Sequence, residues 1–218
     1  MITNKDNLFF NLNENVPIHS PDDINQETIL FKKLTMDVLE EMHKYSTDER
    51  MYEYLSFDAF KDIDETKDYI NKLLARMNSH EENNRAMYWS LRRLSDNRLI
   101  GTAGILRISY LNGSAEWGFG IDPEFWGKGY ILDALESLKT YFFEVLELNR
   151  LYGLTFINNL RTIETMKAVG MKEEGILREF TFKDGNYVDG WKYSMLKKEY
   201  LKDKKNNVKS KKIKKNKV

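Results

Sequence analysis

The chain has no cysteine, and it has only three prolines and three histidines in 218 residues. Without cysteine there is no disulfide framework, no thiol nucleophile and no thiolate metal site. His19, His43 and His80 are scattered without ligand-like spacing, so no metal is expected. Long apolar runs are missing too. The opening MITNKDNLFFNLNENVPIHS holds no signal-peptide core, and no later segment approaches the roughly 20 apolar residues of a membrane span. These absences predict a soluble, cytoplasmic protein with no membrane partner.

A formal net charge of zero hides an asymmetry. Residues 201–218 carry nine lysines against Asp203, which is +8, so residues 1–200 carry −8. A lysine and asparagine block with no apolar face cannot bury enough surface to order itself. Residues 201–218 are therefore expected as a disordered Lys-rich tail, which is either simply a solvated terminus or an attachment to nucleic acid, a ribosome or an acidic partner through weak contact. Residues 1–27, rich in Asn and Asp and holding two of the prolines, read as a loosely ordered arm. Residues 28–200 are long enough for one well-buried α/β domain.

Within that domain the hydrophobic period changes repeatedly. A short run TILFKKL precedes Thr35, an N-cap residue type, and then Met36, Leu39, Met42 and Tyr45 at helical spacing. A second helix is predicted over about 64–78. Three strand-like runs follow, AMYWSLRRL, LIGTAGILRISY and AEWGFGID, the last two joined through Asn112-Gly113 as a type I′ hairpin signal. After Pro123 a helix of about 20 residues is predicted, with Ile131, Leu135, Leu138, Phe142 and Val145 on one side. Then come the strand RLYGLTF, a helix over about 161–169 closed by Gly170, and a hairpin through Asp184-Gly185. In the last strand Tyr187, Trp191, Tyr193 and Met195 form the expected buried set. The order β-α-α-β-β-β-α-β-α-β-β implies a mixed sheet of six to seven strands with helices on both sides.

The most informative stretch is EWGFGIDPEFWGKGYILDAL, in which a strand ends and Gly127-Lys128-Gly129 opens the amphipathic helix. The first amides of a helix lack internal acceptors, its dipole is positive there, and glycine lets a phosphate approach the backbone. On spacing alone this is an anion site or merely a tight turn.

Trp126-Gly127-Lys128-Gly129-Tyr130 resembles the coenzyme A loop of GNAT acetyltransferases, in the form seen in the RimJ/RimL-like branch. The similarity extends through Asn158-Asn159, the helix ending Ala168-Val169-Gly170-Met171, and the close EEGILREFTFKDGNYVDGWKYSML. It covers about residues 28–197 and implies the GNAT fold, acetyl-CoA as co-substrate, an amine as acceptor and room for a homodimer. It also implies cofactor contacts at Phe119, Gly120, Ile121, Trp126, Gly127, Lys128, Gly129, Tyr130, Ile131, Asn159 and Thr162. This sequence departs from the family where Ile131 replaces the frequent Gly or Ala, and where Trp126 replaces Gln or Arg. Met166 stands where many members place the tyrosine that protonates the thiolate; the resemblance implies that a hydroxyl earlier in the same helix, at Thr162, serves instead, and the competing reading of Thr162 is a first-turn capping or back-bonding residue.

An amine attacks a thioester only when neutral, so the site needs a proton acceptor, donors for the carbonyl oxygen and a way for the thiolate to leave. Glu116, between Ala115 and Trp117, is the candidate base, and the competing reading is an ordinary exposed strand carboxylate. The resemblance implies that the amides of residues 119–121 are the donors; Gly118 and Gly120 are consistent with a bulge that frees them, or simply with close strand packing. Trp89, Trp117 and Trp191 are expected to build core or pocket walls. The acceptor is either a protein N-terminal α-amine or a small amine. Two alternatives remain at this level: acetylation of a nucleotide-linked amino sugar, and a coenzyme A-binding module docked on RNA or ribosome through the basic tail.

Overall fold

The computed structural model describes residues 28–81 and 84–215, with side chains through residue 206; the expected arm at 1–27 lies outside the described residues. The elements are β1 (Ile29–Lys33), α1 (Leu39–Ser46), α2 (Ile63–Met77), β2 (Met87–Arg93), β3 (Leu99–Ser109), β4 (Ser114–Ile121), α3 (Tyr130–Thr140), β5 (Arg150–Phe156), α4 (Leu160–Ala168), β6 (Lys172–Lys183), β7 (Asn186–Leu196) and α5 (Lys197–Lys215). One seven-stranded sheet has the order β1-β2-β3-β4-β5-β7-β6. Only β4 and β5 pair in parallel, and α3 is the crossover between them.

Two apolar layers hold the sheet. Leu34, Met42, Tyr45, Ile70 and Leu73 seat α1 and α2 on one side, and Leu135, Leu138, Phe142, Ile163 and Met166 seat α3 and α4 on the other. Asp62 starts α2 by accepting from the Glu65 amide at 2.9 Å, which places the helix one residue from the predicted start. The β6–β7 turn has positive φ at both Asp184 (50°) and Gly185 (80°), as a type I′ turn requires.

Several local expectations are corrected. Between β3 and β4 the turn is longer than two residues: Gly113 alone has positive φ there (58°), and the Asn112 amide donates to Ser109 Oγ at 3.1 Å, a side-chain bond that displaces the tight hairpin. The helix after Pro123 starts only at Tyr130, because residues 123–125 form a 3-10 turn and Gly127 and Gly129 have φ of 73° and 84°. It then widens into a π turn at residues 141–145, which rotates the apolar face: Phe143 and Leu146 are buried while Val145 is 44% exposed. Tyr193 and Met195 are buried as expected but Tyr187 is 68% exposed, because the β6–β7 hairpin projects beyond Gly190, where β7 leaves β5.

The end of the chain also differs. Helix α5 occupies the segment expected as a disordered tail from residue 201. Its first turns are tied down by contacts invisible to composition: buried Tyr200 stacks on Phe143 with centroids 4.9 Å apart, and Lys204 reaches Glu144 at 2.5 Å. Among the described residues no helix is long and apolar enough to cross a membrane.

Candidate active site

Strands β4 and β5 run side by side only through Ser114, Ala115 and Glu116, opposite Arg150, Leu151 and Tyr152. Beyond Glu116 the β4–β5 ladder stops, although β4 stays paired with β3 as far as Ile121. The sheet therefore splits between two parallel strands, with the split opening toward their C-terminal ends. In open α/β sheets this is where ligands bind.

On the β4 side, pairing to β3 uses alternate residues. The Asp122 amide donates to the Ile100 carbonyl at 2.9 Å, so by alternation Gly120 and Gly118 turn their amides to β3, while Phe119 and Ile121 turn theirs into the split. Of the three expected amide donors, Gly120 is thus already committed. The expected bulge at Gly118 and Gly120 is absent; the register shift lies in β3 between Leu106 and Ser109. These glycines instead make room: a Cβ at Gly120 would lie 2.6 Å from Met51 Cε, and one at Gly118 would lie 2.8 Å from Leu106.

At the open end sits the glycine loop. The first internal bonds at the start of α3 run from Leu132 and Asp133 to the Gly129 carbonyl, at 3.0 and 3.3 Å. The amides of residues 127–131 have no acceptor among the described residues, and ideal Cβ atoms at Gly127 and Gly129 meet nothing within 4 Å. Amides without an internal acceptor, open space before the two glycines and a helix dipole behind them are the features that an anion site requires. Trp126 fastens the loop rather than filling that space, its Nε1 donating to the Ile121 carbonyl at 2.8 Å. Arg161, from the first turn of α4, lies 3.7 Å from the Trp126 ring centroid, joining the two helix starts that flank the split. Lys128 lies 5.1 Å from the Phe125 ring centroid, Tyr130 meets the same ring edge-on, and Ile131 packs on the core.

On the β5 side Asn159 caps α4, its side-chain oxygen accepting from the Thr162 amide at 3.1 Å. The Thr162 hydroxyl makes no hydrogen bond among the described residues, whereas Thr165, one turn on, bonds back to Arg161 at 2.8 Å. Met166 is buried, and its Cε lies 2.9 Å from the point where a Cβ at Gly153 would stand. Trp117 Nε1 lies 2.5 Å from that same point and is buried without a partner. Trp117 and Met166 thus fill the floor of the split through the missing side chain of Gly153.

Glu116 occupies the closed end. Its side chain is 14% exposed and pairs with Arg107 at 2.9 Å. Burial pushes its carboxyl above the usual range, against the opposing pull of Arg107, Lys192 and Arg76. The ordinary exposed carboxylate is therefore ruled out. Around it stand Tyr88, a tyrosine that the sequence offers as able to reach the site, and three residues that it does not single out, Arg107, Tyr152 and Lys192. Arg107 reaches Glu116 because it is the bulged residue of β3, with φ of 47°. Tyr152 lies directly across the ladder, Tyr88 accepts from Arg76 at 3.5 Å, and Lys192 stands over the Tyr152 ring. Of these, Tyr88 alone is offered by the sequence; Tyr152 could have been found through its place on the neighbouring strand.

Comparison with known proteins agrees with this architecture. Residues 28–172 match the acetyltransferase (GNAT) domain family. The uncharacterized N-acetyltransferase p20 of Bacillus licheniformis is 27% identical over 174 residues, covering 80% of this chain and 96% of that protein. The spermidine N(1)-acetyltransferase of Vibrio cholerae is 26% identical, covering 78% and 96%. A putative ribosomal N-acetyltransferase of Bacillus subtilis, YdaF, is 36% identical over a shorter span, 49% of this chain and 58% of its own. Among solved structures, V. cholerae spermidine N-acetyltransferase in complex with CoA and spermine superposes with a TM-score of 0.67 at 24% identity, covering 79% and 98%, which shows the shared fold.

Proposed function

This chain belongs to the GNAT acetyltransferase family, and on that premise we propose that it moves an acetyl group from acetyl-CoA to a primary amine held beside Glu116. The observation that carries this reading is the pairing of two ends of one split: five amides at residues 127–131 without an acceptor among the described residues, and a largely buried carboxylate at the apex.

The pyrophosphate of coenzyme A fits the amides of residues 127–131, where Gly127 and Gly129 leave the approach open. Acetyl-CoA supplies the thioester carbonyl. Its pantetheine arm fits along the split between the Phe119 and Ile121 amides on one side and Asn159 on the other. Glu116 accepts a proton from the incoming ammonium at its carboxylate, directly or through water, and leaves the neutral amine. The Phe119 amide donates to the carbonyl oxygen as it gains charge. Thr162 Oγ1, which makes no hydrogen bond among the described residues, donates a hydrogen bond to the sulfur as the C–S bond breaks, and the proton that the acylated nitrogen sheds completes the thiol. Trp126, Lys128, Tyr130 and Ile131 hold the loop in shape. Relatives named for spermidine, among them that of Vibrio cholerae, and one named as a putative ribosomal N-acetyltransferase support small amines and protein α-amines as the acceptor classes.

Thiol release from acetyl-CoA, measured against a panel of primary amines, tests the proposal. Amine-dependent release is the expected result. Tight coenzyme A binding with no release for any amine would replace the transferase reading with that of a binding module.

A further inference from the structure

Glu116 is one carboxylate set among three cations drawn from three different elements. Arg107, on β3, pairs with it at 2.9 Å. Arg76, on α2, and Lys192, on β7, also act on its charge, yet neither is spent on a carboxylate of its own. Arg76 donates to the Tyr88 hydroxyl at 3.5 Å, and Lys192 Nζ sits 5.0 Å from the Tyr152 ring centroid. The neighbouring acid, Glu174, is already held by Arg150 at 2.6 Å and by the Ser194 hydroxyl at 2.7 Å. Among the described residues, three cations, Arg107, Arg76 and Lys192, thus act on the single carboxylate of Glu116, an excess of two positive charges over that group. Arg107 is also the outward member of its pair, 61% exposed against 14% for Glu116.

This surplus is a poor seat for a polycation and a good one for an anion. Like charges at short range oppose binding, whereas guanidinium and ammonium groups recognise carboxylate and phosphate through charge-assisted hydrogen bonds. We propose that the preferred acceptor is an amine that bears an anionic group, a carboxylate or a phosphate, which Arg107, Arg76 and Lys192 hold while the amine faces Glu116. The proposal rests on the reading of Glu116 as the acceptor end. Arg107 changes partner in this arrangement, turning from Glu116 to the acceptor's anion. Glu116 then loses its ion pair when the acceptor is in place, and becomes the stronger base at the moment a proton must be taken.

Matched amines test the idea in the full-length protein. Propylamine against β-alanine isolates a carboxylate, ethanolamine against phosphoethanolamine isolates a phosphate, and spermidine supplies the polycation. The anionic member should have kcat/KM higher by about tenfold or more, near 1.4 kcal/mol, and the arm with the larger ratio identifies the anion. The ratio should fall toward one in Lys192→Met and Arg76→Met. It should also shrink with added salt in the unaltered protein, a readout that needs no variant to fold. Spermidine or the neutral partners used as well as the anionic amines would overturn the proposal while leaving the transferase reading intact. If no amine releases thiol, the transferase reading fails separately. Calorimetry of β-alanine and phosphoethanolamine on the coenzyme A-loaded protein then decides, and absence of binding overturns this inference too.

Discussion

The two ends of the split are built from opposite materials. At the open end the glycine loop presents backbone amides, and side chains such as Trp126 only fasten it from behind. At the closed end Glu116, Arg107, Arg76, Lys192, Tyr88 and Tyr152 present side chains, each brought in by a different stretch of chain. A site made of amides is specified by a few consecutive residues and suits a ligand common to a whole family. A site made of side chains is specified by tertiary placement, and can change acceptor while the loop stays as it is.

If that division holds, damage at the closed end should appear in rate and damage at the open end in affinity. The largest effect is expected from Glu116→Gln, which is isosteric but cannot take a proton. The rate at pH 7 should fall on the order of 10²-fold, with coenzyme A affinity by calorimetry unchanged. An alkyl amine with a pKa near 10.4 is neutral about once in several thousand molecules at pH 7, so the deficit should shrink by pH 9.5. In the unaltered protein the rate should rise with pH through the Glu116 carboxyl, at a pH above the usual carboxylate range because burial raises that group. A deficit identical at both pH values would break the comparison by removing the proton acceptor from the closed end.

At the open end, Gly129→Val should weaken coenzyme A binding by about tenfold or more, by placing a branched side chain where phosphate approaches. Gly129 has φ of 84°, so valine also strains the backbone. Gly129→Asn is the companion variant, since asparagine tolerates that conformation while still narrowing the approach. Both should leave the shape of the pH profile alone. Unchanged affinity in a folded variant would show that the amides of residues 127–131 do not hold the cofactor.

The middle of the split offers a smaller and purely structural test. A methyl at Gly153 would lie 2.5 Å from Trp117 Nε1 and 2.9 Å from Met166 Cε, both in the buried core. Gly153→Ala should cost about 1–3 kcal/mol in urea unfolding through overpacking. Because this floor joins the two ends, affinity and rate should fall together. A variant of unaltered stability would mean that Trp117 and Met166 move apart freely.

The same contrast explains what could be read before the structure. Element order, the Asp184-Gly185 turn and the glycine loop rest on local backbone chemistry, and glycine at positive φ leaves a mark in sequence. Arg107 does not, because its reach to Glu116 depends on a bulge that breaks the strand period, and a period-two reading places it on the wrong face. Val145 fails for a related reason, since a π turn shifts the helical period within one helix. Arg76 and Lys192 lie 40 positions before and 76 after Glu116 in the numbering, and only the fold makes them neighbours.

The smallest effect is expected at the Lys-rich end. Composition argues for a disordered tail from residue 201, yet α5 is anchored by Tyr200 against Phe143 and by Lys204 against Glu144. A truncation that removes 207–218 keeps both anchors. What it removes is charge, and the remaining Lys204–Glu144 pair, 41% and 33% exposed, is of a kind worth only about 0.2–1 kcal/mol. Unfolding free energy should therefore change by about 0.5 kcal/mol or less, within the range usual for surface alterations. Coenzyme A affinity and turnover of a small amine should stay within about twofold, because both anchors of α5 are kept and salt screens the charges removed. A large loss of turnover that added salt does not reproduce in the full-length protein would make the end of α5 part of the catalytic unit. The two-ended description of the site would then need a third region.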